Sequence, residues 1–72
     1  MVKFNEQLKI IRKQQGKTQK EVAVSIGIGE SNYQNLEYGK SQPLLKTLVN
    51  LADCFDVSLD YLVGRSDNPM RY

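Results

Sequence analysis

The residues able to do chemistry are few, and the missing ones narrow the function first. There is no histidine, and Cys54 is the single cysteine. That inventory provides no imidazole acid or base, no Ser/His or Cys/His nucleophile pair and no Cys/His zinc site. An enzyme is therefore not expected, nor is a metal or other cofactor. Cys54 cannot form an internal disulfide, and reads as a small buried hydrophobe. The opening MVKFNEQLKI carries no long apolar stretch of the kind a signal peptide or membrane span needs. The expected setting is soluble, reducing and cytoplasmic.

Charge is the next resource, and its placement says more than its total. The net charge is +2. Residues 1 to 46 carry Lys3, Lys9, Arg12, Lys13, Lys17, Lys20, Lys40 and Lys46 against Glu6, Glu21, Glu30 and Glu37, a segment of +4. Residues 47 to 72 carry Arg65 and Arg71 against Asp53, Asp56, Asp60 and Asp67, a segment of −2. One reading is a solvated surface with charges scattered by chance. The other is an N-terminal basic face that meets a polyanion.

These groups must be held by helices separated by short breakers. Phe4, Leu8, Ile11 and Gln15 fall at helical spacing, and Gly16 closes that run. Thr18-Gln19-Lys20-Glu21 is a capping box: the hydroxyl accepts from a first-turn amide while the glutamate reaches back to the cap. Val22, Ala23 and Ile26 form the inward stripe of that second helix, and Gly27 supplies the positive φ that ends it. Gly27 to Gly29 is a short turn, so the next helix, Glu30 to Glu37 with Tyr33 and Leu36 inward, must cross the second steeply. Gly39 is a left-handed stop within a polar connector reaching Pro43. Leu45, Leu48, Leu51, Ala52 and Phe55 mark a fourth helix. Ser58 caps a short fifth that carries Leu59, Leu62 and Val63 and stops at Gly64. Chains of 72 residues bury only roughly 60% of their unfolded surface, so such caps and turns weigh heavily.

The run TQKEVAVSIGIGESNYQNLEYGKSQP, followed by LVNLADCFDVSLDYLVG, resembles the helix-turn-helix domain of the phage repressor and Cro (XRE-type) family of DNA-binding regulators. Its positions coincide at Gln19, Ala23, Gly27, Leu36-Glu37, Gly39, Pro43 and the SLDYL ending. The resemblance implies an all-α fold, a compact five-helix bundle of the phage-repressor DNA-binding domain type. Residues 1–64 would form the DNA-binding domain and 65–72 a C-terminal tail. Small Ala23 would let two helices approach, and Val22, Ile28 and Leu36 would fill the wedge between them.

The same resemblance implies that the third helix enters the major groove of double-stranded DNA. Base contacts then map to Glu30, Ser31 and Asn35, with Asn32 and Gln34 beside them. Asn35 can make the two-bond amide contact with adenine, and Ser31 can donate or accept at almost any base. Glu30 can accept from cytosine N4, yet a carboxylate at a helix N-terminus is equally explained by the helix dipole. Phosphate contacts map to Gln19 and Lys20 at the start of the second helix and to Tyr38, Gly39 and Lys40 after the third. Lys9, Lys13 and Lys17 would add diffuse attraction. Arg12 and Glu37 match a structural ion pair, not a DNA contact.

The sequence also departs from that family. Tyr33 stands where an aliphatic residue is usual, so the wedge must house a ring or release it. Lys17 replaces a common apolar residue, and Leu44 replaces the usual serine cap of the fourth helix. One recognition helix makes few base contacts, so a homodimer on a palindromic operator is expected, as a repressor would form. Its candidate surface is Val57, Leu59, Tyr61, Met70 and Tyr72, with Ile10 as a further spare apolar group. The alternative is a protein-interaction module, an antitoxin or anti-repressor, whose C-terminal region binds another protein.

Overall fold

In the computed structural model, which describes residues 3–71, the chain forms α1 (Phe4–Gln14), α2 (Gln19–Ile26), α3 (Glu30–Glu37), α4 (Leu45–Phe55) and α5 (Leu59–Leu62). No strand occurs among the described residues. Two of the helices, α2 and α5, begin at a side-chain cap. Thr18 Oγ1 accepts from the Glu21 amide at 3.0 Å, and Glu21 Oε1 accepts from the Thr18 amide at 2.8 Å, so both halves of the capping box form. Ser58 likewise accepts from the Tyr61 amide at 3.0 Å and opens α5. Leu44 precedes α4 with no side-chain cap, as its type dictates, and its side chain lies exposed.

The tight α2–α3 turn depends on Gly27. Its φ of 75° is left-handed, and the Ile28 amide folds back to the Ala23 carbonyl at 3.0 Å. At the other end of α3, Gly39 has φ 74°, and the Lys40 amide reaches the Asn35 carbonyl at 2.9 Å. A Cβ at Gly39 would meet the Asn5 side chain at 3.4 Å, an ordinary contact, so it is the left-handed φ that makes this glycine hard to replace.

One core joins all five helices. Leu8 and Ile11 of α1, Val22, Ala23 and Ile26 of α2, Tyr33 and Leu36 of α3, Leu51, Ala52 and Phe55 of α4, Val57 and Leu62 are buried together. Ile28 is partly buried against them, in the wedge expected for it. The Tyr33 ring is housed completely, so the aromatic substitution is absorbed by packing and does not slide outward. Polar side chains of α1 tie the bundle: Gln7 Nε2 donates to the Tyr61 carbonyl at 3.0 Å and Gln15 Nε2 to the Phe55 carbonyl at 2.8 Å.

Several expectations are corrected here. Leu45 is 73% exposed and does not belong to the inward stripe of α4. At roughly 100° per residue it stands well to one side of the direction shared by Leu48, Leu51, Ala52 and Phe55. Val57, expected at a dimer surface, is a core residue: left-handed Asp56, with φ 55°, turns the chain so that Val57 packs inward. Tyr61 is half-buried against the same core, whereas Leu59, Met70 and Ile10 are exposed. Tyr72 lies outside the described residues. Lys17 does not extend toward solvent. Its Nζ donates to the Cys54 carbonyl at 3.2 Å and lies 5.6 Å from the Phe55 ring centroid, where it meets the negative end of α4. Cys54 is accordingly half-buried beside an ammonium, not enclosed in apolar surroundings.

The C-terminal segment folds back instead of trailing away. The Ser58 amide donates to the Pro69 carbonyl at 3.0 Å, and Arg71 donates to the Ala52 carbonyl at 3.2 Å and pairs with Asp53 at 2.6 Å. A second acid, Asp56, lies 3.8 Å from the same guanidinium.

Candidate nucleic-acid interface

With Tyr33, Leu36 and Glu37 turned inward, the opposite side of α3 is set by helical spacing. Ser31, Asn35 and Tyr38 follow one another at intervals of four and three residues along its crest. Ser31 is exposed, Asn35 half-buried and Tyr38 55% exposed. Glu30 is exposed at the first turn. Asn32 flanks the crest on the α4 side, where it and Asn35 line a shallow groove of about 280 Å³ with Ile28, Leu36, Pro43 and Leu44. Gln34 flanks it on the other side and faces α2. The five candidate base-contact residues of α3 therefore do not form one equivalent set: two lie on the crest, and three are distributed around it.

The groups expected to hold phosphate bracket this helix. Gln19 and Lys20 begin α2, where the capping box has taken the Thr18 and Glu21 amides and the first helical amides have no carbonyl a turn behind them. The hydrogen bonds from Thr18, backbone first, hold the Glu21 carboxyl below its ordinary range. Lys40 is exposed beyond the far end of α3, but its amide already serves Asn35, so only its side chain is free to meet an anion. The Gly39 amide makes a long bond of 3.4 Å to the Leu36 carbonyl. Lys9 and Lys13 are exposed on α1.

Behind the crest lies a partly buried polar chain centred on Glu37. Arg12 Nε and Nη2 donate to the two oxygens of Glu37 at 2.6 and 3.1 Å, and Arg12 Nη1 donates to the Lys17 carbonyl at 2.9 Å. The Glu37 side chain is fully buried, and that of Arg12 is 11% exposed. Gln19 Nε2 then donates to Glu37 Oε1 at 3.1 Å, and Gln34 Nε2 donates to Gln19 Oε1 at 3.2 Å. Burial alone would raise the Glu37 carboxyl, but hydrogen bonds from Arg12 and Gln19 outweigh it and hold the group below the ordinary carboxylate range. Glu37 in turn raises the Arg12 guanidinium. The Tyr33 hydroxyl is buried near this pair without a well-formed hydrogen bond, and burial followed by the Glu37 charge pushes its ionisation far above that of a free phenol.

The structural ion pair thus stands where it was expected. The link through Gln19 to Gln34 was not anticipated, nor was Asn5, whose Nδ2 reaches the Glu37 carbonyl at 3.4 Å. Neither follows a periodic pattern. The available signal was the presence of amides, which both donate and accept, on the helices that flank a buried carboxylate. Among the described residues no group of three or more His, Cys, Asp or Glu could hold a metal ion, and no helix is long and apolar enough to cross a membrane.

An all-helical bundle with a tight α2–α3 crossing and a polar-crested third helix defines a DNA-binding class of fold. The chain belongs to the helix-turn-helix family, whose model matches residues 8–62. It is 43% identical over 65 residues to the uncharacterized HTH-type transcriptional regulator YqaE of Bacillus subtilis, an alignment covering 90% of this chain and 56% of that one. It is 39% identical over 64 residues to the cryptic phage CTXphi transcriptional repressor RstR of Vibrio cholerae, covering 89% and 57%. The chain spans about half the length of the curated relatives it matches. Among solved structures it is similar to the restriction-modification controller protein C.AhdI of Aeromonas hydrophila, with TM-score 0.80, 28% identity and 85% and 92% coverage. The P22 c2 repressor superposes with TM-score 0.83 at 20% identity over 92% and 100% of the two chains, a likeness of fold.

Proposed function

We propose that this chain is a sequence-specific DNA-binding regulator of transcription, a repressor that binds a palindromic operator as a homodimer in the cytoplasm. In this reading α3 lies in the major groove. Asn35 and Ser31 meet base edges at its centre, with Glu30 and Asn32 at the margins. Gln19, Lys20 and the α2 N-terminus hold one phosphate run, and Tyr38, Gly39 and Lys40 hold the other. The observation that carries this reading is the polar crest of α3, raised on a buried wedge and flanked by Lys20 and Lys40. The repressor name of a relative 39% identical supports the direction of control.

The protein-interaction alternative has less support. Of its expected contact region, residues 65–72, the described part is pinned through Pro69 and Arg71 to α4 and to the start of α5. Exposed Leu59, Met70 and Ile10 remain candidate dimer contacts.

Selection from a randomised DNA pool at several salt concentrations tests the proposal. The expected result is an enriched palindrome whose affinity falls steeply with salt, bound by a particle of twice the monomer mass. Failure to enrich any sequence at low salt rejects DNA recognition, and a monomer both on and off DNA rejects the dimer.

A further inference from the structure

We infer that Gln34 is a positioning residue for DNA binding: it orients the Gln19 amide toward the phosphate backbone instead of reading a base. The inference rests on the DNA-binding reading above. Its structural basis is a hydrogen-bond chain whose direction is dictated by chemistry. The Arg12 guanidinium can only donate, and the Glu37 carboxylate it holds can only accept. Gln19 must therefore turn its NH2 group toward Glu37, at 3.1 Å, which leaves Gln19 Oε1 facing α3. Gln34 must turn its own NH2 group to that oxygen, at 3.2 Å. No amide in the chain can flip without placing donor against donor or acceptor against acceptor.

One bond alone would leave Gln19 free to rotate about its long side chain. Two bonds, one from each end of its carboxamide, hold the group in a single plane at the first turn of α2. One Nε2 hydrogen goes to Glu37, and the second remains for an anion beside the open amides of that turn. The clamp is thus organised before DNA arrives, and little side-chain freedom is left to lose on binding. Gln34 achieves this from the flank of α3, away from the crest where Ser31 and Asn35 stand. One Nε2 hydrogen is committed to Gln19, which ties the Gln34 carboxamide to the α2 side of the helix and turns it away from the base edges that a two-bond contact with adenine requires.

A double-mutant cycle on the selected operator tests the assignment with Gln19→Ala, Gln34→Ala and the combined variant. Gln19→Ala, which loses a bond to a charged phosphate, should bind about ten- to a hundredfold more weakly, Gln34→Ala, which loses a neutral amide bond, about three- to tenfold more weakly, and the double variant should be no weaker than Gln19→Ala by more than about twofold. Base preference across single-substitution operators should be unchanged by Gln34→Ala. The salt slope should also be unchanged, because a neutral amide releases no counterions. In the free protein, the Gln19 side-chain NH2 resonances should shift and exchange faster in Gln34→Ala, a change that a general loss of stability would not confine to one residue. Losses that multiply, a preference relaxed at one base pair, wild-type affinity in either single variant, or unmoved Gln19 resonances would each overturn the assignment. If the wild type selects no operator, the DNA-binding reading fails and the positioning role falls with it; resonances that still respond would confine Gln34 to a structural bond.

Discussion

Arg12 Nε lies 2.6 Å from Glu37 Oε2, joining the last turn of the first helix to the last residue of the third across the core. Because the carboxylate is fully buried, its worth shows when one partner is removed. Arg12→Ala should destabilise the fold by about 3–5 kcal/mol, since an unpaired charge stays behind, and Glu37→Ala should cost a similar amount. The combined variant, Arg12→Ala with Glu37→Ala, should lose clearly less than the sum. Urea unfolding of the four proteins checks this, and additive losses would show that the pair does not act as a unit.

The same pair sets a pH dependence. The Glu37 carboxyl titrates lower in the folded protein than its ordinary value of 4.5. Its contribution is therefore fully present above the unfolded pKa and is lost as pH falls through the lower folded value. Glu21, also lowered, acts with the same sign. Unfolding free energy should be flat from about pH 7 to about pH 5 and should decline below the ordinary carboxylate range. In Glu37→Gln the stability difference from wild type should shrink on acidification; a difference that stays constant to pH 3 would assign the decline to other carboxyls.

Tyr33 poses a different question, because its ring fills the wedge while its hydroxyl is buried without a well-formed hydrogen bond. Tyr33→Phe should be neutral or stabilising by up to about 1 kcal/mol, since it removes a polar group that burial has stripped of water. Tyr33→Ala should cost about 3–5 kcal/mol through the cavity it leaves. A loss above about 1 kcal/mol in the phenylalanine variant would mean that the hydroxyl is bonded to the Arg12–Glu37 pair more firmly than its geometry indicates.

What could be read from residue types alone was mostly what closes within one helical turn. The Thr18–Glu21 box, the Ser58 cap and the left-handed turns at Gly27 and Gly39 each depend on neighbours a few positions away, and each is present. The partner of Arg12 was accessible only through resemblance, because 25 positions separate it from Glu37. Leu45, Val57 and Lys17 were misplaced for one shared reason: their surroundings depend on how α4 begins and ends relative to the other helices. Leu45 overhangs its start. Val57 turns inward after a left-handed aspartate, and Lys17 reaches its final carbonyls from a different element. Gln34 was placed on the correct helix, but which side of α3 faces α2 is a property of the assembled wedge.

Leu44 offers a stabilising change. It occupies the N-cap of α4 with extended φ and ψ of −74° and 157°, accepts nothing from the first-turn amides and is 74% exposed. Leu44→Ser keeps that backbone and adds an acceptor, so it should raise stability by about 1 kcal/mol and lift the thermal midpoint by several degrees. Unchanged or lower stability would indicate that the leucine is covered, and sizing of the same variant would then show whether a second copy covers it.

The DNA contacts divide by what each side chain can recognise. Asn35 lies on the crest and can make a paired donor–acceptor contact, whereas exposed Lys40 offers only charge. Asn35→Ala should therefore cost about 1–3 kcal/mol on the selected operator and relax preference at one or two base pairs, with the salt slope retained. Lys40→Ala should weaken all sequences alike and reduce the slope of log K against log salt by about 0.9. Binding isotherms on operator and scrambled DNA at several salt concentrations separate the two effects. If Asn35→Ala weakened both DNAs equally, α3 would be held against the backbone and base reading would have to come from another element.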